Sequence, residues 1–180
     1  MNFVLPGDIV NGKVGYNTKE LDGKLYSLSK GYVTYDNERA HVINSGLAVP
    51  KLGDVVIGIC KFMTRKTAKI EIVMVERRVG QDTLEIPIYE EYKGMLRNVD
   101  VQEIERDSVV IPDKLRVGDI IRAFVISYGD NTVYLSTAHK YLGVVHAMKN
   151  GEIMTIISQD KVQCPSTGEF ESRKMAIVEK

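Results

Sequence analysis

The chain has 180 residues and a mass of 20.2 kDa, room for one medium domain or for two to three small ones. Its 44% apolar and 27% charged residues match an average soluble protein and exclude a disordered chain, a collagen-like repeat and a disulfide-rich mini-scaffold. Lys+Arg and Asp+Glu balance at 24 each, so no global positive field draws the chain to nucleic acid, and any such binding must come from local placement of charge.

In chain order, the start Met1-Asn2-Phe3-Val4-Leu5-Pro6 has no basic region and no long apolar stretch, so neither an export signal nor a membrane partner is expected. Three turns then feed β-runs in the same manner: Pro6-Gly7-Asp8-Ile9-Val10, Leu52-Gly53-Asp54-Val55-Val56 and Val117-Gly118-Asp119-Ile120-Ile121. In each, the Gly supplies turn geometry, the Asp can bond nearby backbone, and the β-branched pair favours a pleated surface. Their unequal spacing excludes a solenoid. Between them lie a strand at Gly31 to Tyr35 and one at Lys69 to Val75, where Ile70 and Ile72 oppose Lys69 and Glu71. A long acidic connection over 81–91 follows, then a short strand at Gly94-Met95-Leu96-Arg97 and a polar stretch around Asn98 to Arg106. A strand at Ile120 to Ser127, a turn at Gly129-Asp130-Asn131 and a strand at Thr132 to Ser136 complete this part. Period two dominates, and no segment of 12 or more residues carries a helical apolar stripe.

The expected fold class is therefore all-β, in three units cut near Pro50-Lys51 and Leu142-Gly143: a small N-terminal β-domain over 1–50, a five-stranded OB-type barrel over 51–141, and a C-terminal β-ribbon over 142–180. Each unit is neutral, but charge is segregated inside the middle one. Lys61, Arg65, Lys66, Lys69, Arg77 and Arg78 crowd one stretch, and Asp82, Glu85, Glu90 and Glu91 the next.

No catalytic constellation is expected. His41, His139 and His146 are scattered, Cys60 sits in an apolar run as an inert thiol, and there is no P-loop and no Gly-x-Ser-x-Gly. Asp100, Glu103, Glu105 and Asp107 could suggest a two-metal nuclease, but such sites need carboxylates converging from rigid elements, and these four share one irregular segment, expected as a solvated loop. Cys60 and Cys164 are too few for a disulfide framework or a four-cysteine zinc site.

Gly94-Met95-Leu96-Arg97 followed by Asp100-Val101, and Val117-Gly118-Asp119 followed by Val133-Tyr134-Leu135-Ser136, resemble the S-one domain, the OB-fold RNA-binding repeat of a ribosomal small-subunit protein. The resemblance implies that single-stranded RNA crosses one barrel face, with Lys61, Phe62, Arg65, Lys69 and Arg97 as the candidate contacts. Where that family usually has an aromatic on its second strand this chain has Thr67-Ala68-Lys69, and Arg97 stands where His is common, which implies weak stacking and strongly salt-dependent binding. A solvated hairpin tip is the alternative for the basic turn.

The flanks extend the resemblance. Val4-Leu5-Pro6-Gly7-Asp8 through Gly31-Tyr32-Val33 resembles the N-terminal β-domain of the exosome cap subunit that carries an S-one domain and a zinc-ribbon-like tail. Tyr141 to Ala147 and Val162-Gln163-Cys164-Pro165-Ser166-Thr167-Gly168, closing in Arg173-Lys174-Met175-Ala176, resemble the two halves of that tail. Metal-bearing members place a Cys-x-x-Cys in each half, whereas here only Cys164 remains and Thr167 stands at its partner's position. A metal-free ribbon without cofactor is therefore expected, packed by Ile153, Ile156, Val162, Met175 and Ile177.

By this resemblance the chain is a non-catalytic RNA-binding cap subunit, guiding single-stranded RNA into a ring of RNase PH-like subunits in RNA processing and decay. It would touch those ring subunits and other exosome cap subunits through exposed residues such as Tyr26, Tyr32 and Phe170, in the nucleus, nucleolus and cytoplasm. A translation- or transcription-associated OB-fold RNA-binding factor, or a scaffold that binds no RNA, are the alternatives.

Overall fold

All three Gly-Asp turns close in one way. In the computed structural model, which describes residues 2–44, 49–79 and 82–177, the Asp8, Asp54 and Asp119 carboxylates each accept the backbone N–H three residues earlier, from Leu5 at 2.8 Å, Lys51 at 2.9 Å and Arg116 at 2.7 Å. The backbone N–H of each Asp donates to the carbonyl of that same residue. Gly118, at φ +94°, takes the left-handed step that a side chain would resist. This is the mechanism by which Gly-Asp before a β-branched pair launches a strand.

The chain divides into two compact units: residues 1–49 with 75–90, and 50–74 with 91–180. The first contains β1 (Asn2–Val4), β2 (Ile9–Val10), β3 (Lys13–Val14), β4 (Thr18–Leu21), β5 (Lys24–Ser27), β6 (Gly31–Asp36) and β7 (Arg39–Asn44). Two small sheets form, in the orders β1-β6-β7-β3 and β2-β5-β4. Val4, Val10, Leu25, Val33, Ala40 and Val42 pack between them as the core.

The second unit is built on β8 (Val55–Met63), β9 (Thr67–Val79) as far as residue 74, β10 (Asp82–Arg97) from residue 91, β11 (Ile120–Gly129) and β12 (Thr132–Ser136). Their pairings run β12-β10-β9-β8-β11, and β11 also pairs with β12, so the sheet closes on itself. Where the ring closes, β10 runs parallel to β12, with Gly94 beside Val133 and Leu96 beside Leu135. A closed five-stranded barrel in this order is the OB-type fold expected from the sequence. Alternation decides its two faces: Val56, Cys60, Ala68, Ile70, Ile72, Leu96, Val125 and Leu135 fill the interior. Gly94 is a packing requirement, because a methyl group there would stand 2.6 Å from Leu135 Cδ1.

The acidic connection expected over 81–91 is corrected: β10 begins at Asp82 and runs unbroken through 16 residues. Leu84, Ile86 and Ile88 recur at period two, a strand signal overshadowed by the density of carboxylates. Single 3-10 turns at Asn98–Asp100, Arg106–Ser108 and Ile111–Asp113 occupy the link to β11.

β13 (Gly143–His146) pairs with β11. Beyond it come the hairpin of β14 (Met148–Lys149) and β15 (Glu152–Ile153), and a small sheet of β16 (Thr155–Ile156), β17 (Lys161–Gln163) and β18 (Phe170–Ser172). Val162 and Met175 are buried here as expected, but Ile153 and Ile156 are exposed, and Met154 and Cys164 fill the interior in their place. Two-residue strands leave too little alternation for the inward side to be read from sequence. Lys149 Nζ reaches Glu169 at 2.6 Å and Glu171 at 2.8 Å, tying the hairpin to β18. Among the described residues no helix is long and apolar enough to cross a membrane.

Candidate nucleic-acid interface

The outward side of β8, β9 and β10 is where the barrel turns polar residues to solvent. Lys61 follows buried Cys60, Lys69 and Glu71 flank buried Ile70, and Lys93, Met95 and Arg97 alternate with buried Gly94 and Leu96. These strands carry a groove of about 500 Å3 lined by Lys61, Phe62, Lys69, Glu71, Glu91 and Lys93, with Tyr92 and Met95 on its wall. That volume lies within the roughly 300–1,000 Å3 of small-molecule sites. Three of the five candidate contacts, Lys61, Phe62 and Lys69, are thus brought together.

Inside the groove, charge and aromatic surface are already engaged with each other. The Lys61 ammonium donates to Glu71 Oε2 at 2.6 Å across β8 and β9. Lys69 Nζ lies 5.8 Å from the centre of the Phe62 ring, within cation–π range. Both members of the Lys61–Glu71 pair are solvated, so it contributes no more than about 1 kcal/mol, and a ligand can readily exchange for it.

Arg65 and Arg97 do not line the groove; they stand toward the hairpin end of the same strands. The Arg65 carbonyl accepts from Ile111 N–H at 3.1 Å and the Lys66 carbonyl from Asn98 N–H at 2.8 Å, while Thr64 and Thr67 clamp the turn. The basic turn is therefore a pinned structure with exposed side chains. Arg97 stacks over the Tyr134 ring at 5.2 Å and donates from Nε to Asp100 Oδ2 at 2.7 Å. Asp100 also accepts from Arg106 at 3.4 Å and is buried, which corrects its expected place in a solvated loop. Burial follows from its backbone, whose carbonyl accepts from Thr137 N–H and Ser136 Oγ and so locks it against β12. Glu103, Glu105 and Asp107 are exposed.

Sequence reasoning missed Lys93, Met95 and Tyr134 on this side. Period two counted from Leu96 places the first two outward, and the register of Met95 with Tyr134 supplies the third. Tyr134 provides an aromatic on β12, opposite in origin to the second-strand aromatic that the chain lacks.

The two thiols differ. Burial pushes Cys60 up to about 12, with the Asp119 charge adding to the rise. Hydrogen bonds from Ser166 and Thr167 bring Cys164 down to about 7, with Ser166 Oγ at 3.2 Å. Among the described residues no three His, Cys, Asp or Glu side chains gather as a metal site would require. Of the three expected partner contacts, Tyr32 is exposed and stacks edge-on with Phe3 at 5.4 Å, Phe170 is exposed on β18, and Tyr26 is half-buried on β5.

Known proteins match this sequence. The family model described as Exosome component EXOSC1/CSL4 matches residues 81–128, the stretch holding β10, Asp100 and the Asp119 turn. Over almost the whole chain, the exosome complex component CSL4 of Mus musculus is 31% identical across 193 residues, covering 99% of this chain and 95% of that protein. The chain belongs to the EXOSC1/CSL4 family. The Homo sapiens CSL4 component is 30% identical with the same coverage, and the csl4 component of Schizosaccharomyces pombe is 30% identical over 188 residues, covering 98% of this chain and 97% of that one. Family membership thus extends across both compact units and is not confined to the barrel.

Proposed function

We propose that the chain is a non-catalytic, RNA-binding cap subunit of the exosome, which guides single-stranded RNA toward an RNase PH-like ring and bridges ring subunits. The observation that carries this reading is the groove on β8, β9 and β10, where Phe62 offers a stacking ring and Lys61, Lys69 and Lys93 offer cations for phosphate. Arg65 and Arg97 extend the basic track toward the hairpin end. Within this reading 51–141 binds RNA, while 1–50 and 142–180 present Tyr26, Tyr32 and Phe170 to ring and other cap subunits. The compartments are the nucleus, nucleolus and cytoplasm, where RNA processing and decay take place.

A second reading, a scaffold that binds no RNA, is favoured by one observation: Lys61 is bound to Glu71 and Arg97 to Asp100 before any RNA arrives. A salt-titrated binding assay with labelled single-stranded RNA, scored also for degradation, separates the two. Micromolar binding that weakens with salt and leaves the RNA intact supports the cap-subunit reading. Absence of binding at low salt supports the scaffold, and shortening of the RNA overturns the non-catalytic assignment.

A further inference from the structure

The groove mixes acceptors with donors, which phosphate binding alone does not require. A site made only for the backbone would exclude carboxylates, yet Glu71 and Glu91 line this one beside the lysines. Glu71 also stands beside a donor: its Oε2 lies 2.6 Å from Lys61 Nζ, so an ammonium and a two-oxygen acceptor are adjacent in the lining of the same cavity as the Phe62 ring. We propose that this pair selects guanine among the bases of a bound single strand, an inference that rests on the RNA-binding reading above.

The reason lies in edge chemistry. Guanine presents an acceptor, O6, next to two donors, N1–H and N2–H, along its Watson–Crick edge. A carboxylate accepts two parallel donors at once, and an ammonium offers donors only. Glu71 therefore takes N1–H and N2–H while Lys61 serves O6. Uracil in that place turns its O2 carbonyl against the carboxylate, and adenine and cytosine bring one amino donor beside a ring nitrogen acceptor, so neither fills both carboxylate oxygens. Stacking of the base on Phe62 displaces Lys69 from the ring, and its ammonium becomes available to the neighbouring phosphate.

The test uses the full chain with a labelled uridine oligomer and three derivatives in which every third uridine is replaced by guanosine, adenosine or cytidine. Fluorescence anisotropy at low salt should give the guanosine form about fivefold tighter binding than the others, the low end of what a bidentate base contact supplies, because the pair is solvated. Glu71→Gln, which retains size and one acceptor, should reduce that preference below about twofold. Glu103→Gln removes the same charge from an exposed loop outside the groove and should leave the preference intact. Equal affinity for all four oligomers, or a preference that survives Glu71→Gln, overturns the inference while leaving RNA binding in place. Binding to none of them overturns the RNA-binding reading itself. Circular dichroism of each variant establishes that the fold is retained.

Discussion

Arg173 and Asp119, 54 residues apart in sequence, meet in a buried ion pair in which Arg173 Nε donates to Asp119 Oδ2 at 2.8 Å. The guanidinium is engaged on every side, with one further donor on Glu171 at 2.7 Å and another on the Ser172 carbonyl at 2.8 Å. Asp119 is itself the carboxylate of the third Gly-Asp turn, and its other oxygen accepts Met148 N–H at 2.9 Å. Burial drives this carboxyl above its ordinary range, and the Met148 and Arg116 N–H groups and the guanidinium oppose that rise. One aspartate thus closes a strand-launching turn and anchors the closing stretch of the chain.

Replacing Arg173 by Met should therefore cost about 3–5 kcal/mol, since a buried carboxylate is deprived of its counter-charge. Asp119→Asn with Arg173→Met should recover part of that stability, because the asparagine carbonyl still accepts backbone N–H groups. Urea denaturation of the variants decides the matter: a destabilisation below about 1 kcal/mol for Arg173→Met contradicts the assigned role.

Gly94→Ala tests the close approach of β10 to β12. The added methyl meets Leu135 Cδ1, and destabilisation of about 1–3 kcal/mol is expected from overpacking. Trimming the obstacle in Gly94→Ala/Leu135→Val should be less damaging than the sum of the single changes, as measured by a double-mutant cycle of unfolding free energies.

Much of this architecture is legible in the sequence. Gly-Asp before a β-branched pair marks three strand starts, and Gly94 with the Val133–Leu135 alternation marks the barrel's closing strands. What escapes depends on pairing between distant residues. The strand over 82–91 is hidden because Asp82, Glu85, Glu90 and Glu91 crowd a stretch long enough to pass for a loop, although Leu84, Ile86 and Ile88 recur at period two within it. Asp100 reads as a solvent residue because nothing local announces that Thr137 and Ser136 will draw its backbone inward. In the groove, Lys61, Phe62 and Lys69 stand out from the basic run on β8 and β9, whereas Lys93 and Tyr134 emerge only once the neighbouring strands are known.

Within the groove, stacking and charge make separable contributions. Phe62→Ala should weaken RNA binding by about 1–3 kcal/mol with the salt slope unchanged, because an aromatic ring releases no counterions. Lys69→Gln should lower that slope by about 0.7 for each phosphate that is no longer neutralised. Anisotropy titrations across a salt series read both quantities, and the same slope change in the two variants contradicts this division.

Alkaline stability should depend on Cys60. Its thiol sits at about 12 when folded, above the 9.0 of an ordinary exposed thiol. Between those values the unfolded chain releases a proton that the folded chain keeps, so stability is full below that window and falls as pH rises through it. Cys60→Ala should flatten this limb. Denaturation midpoints from pH 8 to 11 provide the check, and parallel curves for both proteins exclude the thiol as the cause.

β9 and β10 belong to both compact units, since residues 75–90 cluster with 1–49 while the rest of each strand stays in the barrel. During synthesis the first 49 residues therefore emerge without the segment that completes their unit and must wait for residue 90, by which time the first two barrel strands have also been made. Cutting the gene near residue 50 separates neither unit: one fragment lacks its last pieces, and the other carries them with nothing to receive them. Exchange of modules between relatives would have to move that strand pair as well, so inheritance of the two units is bound together by the path of the chain.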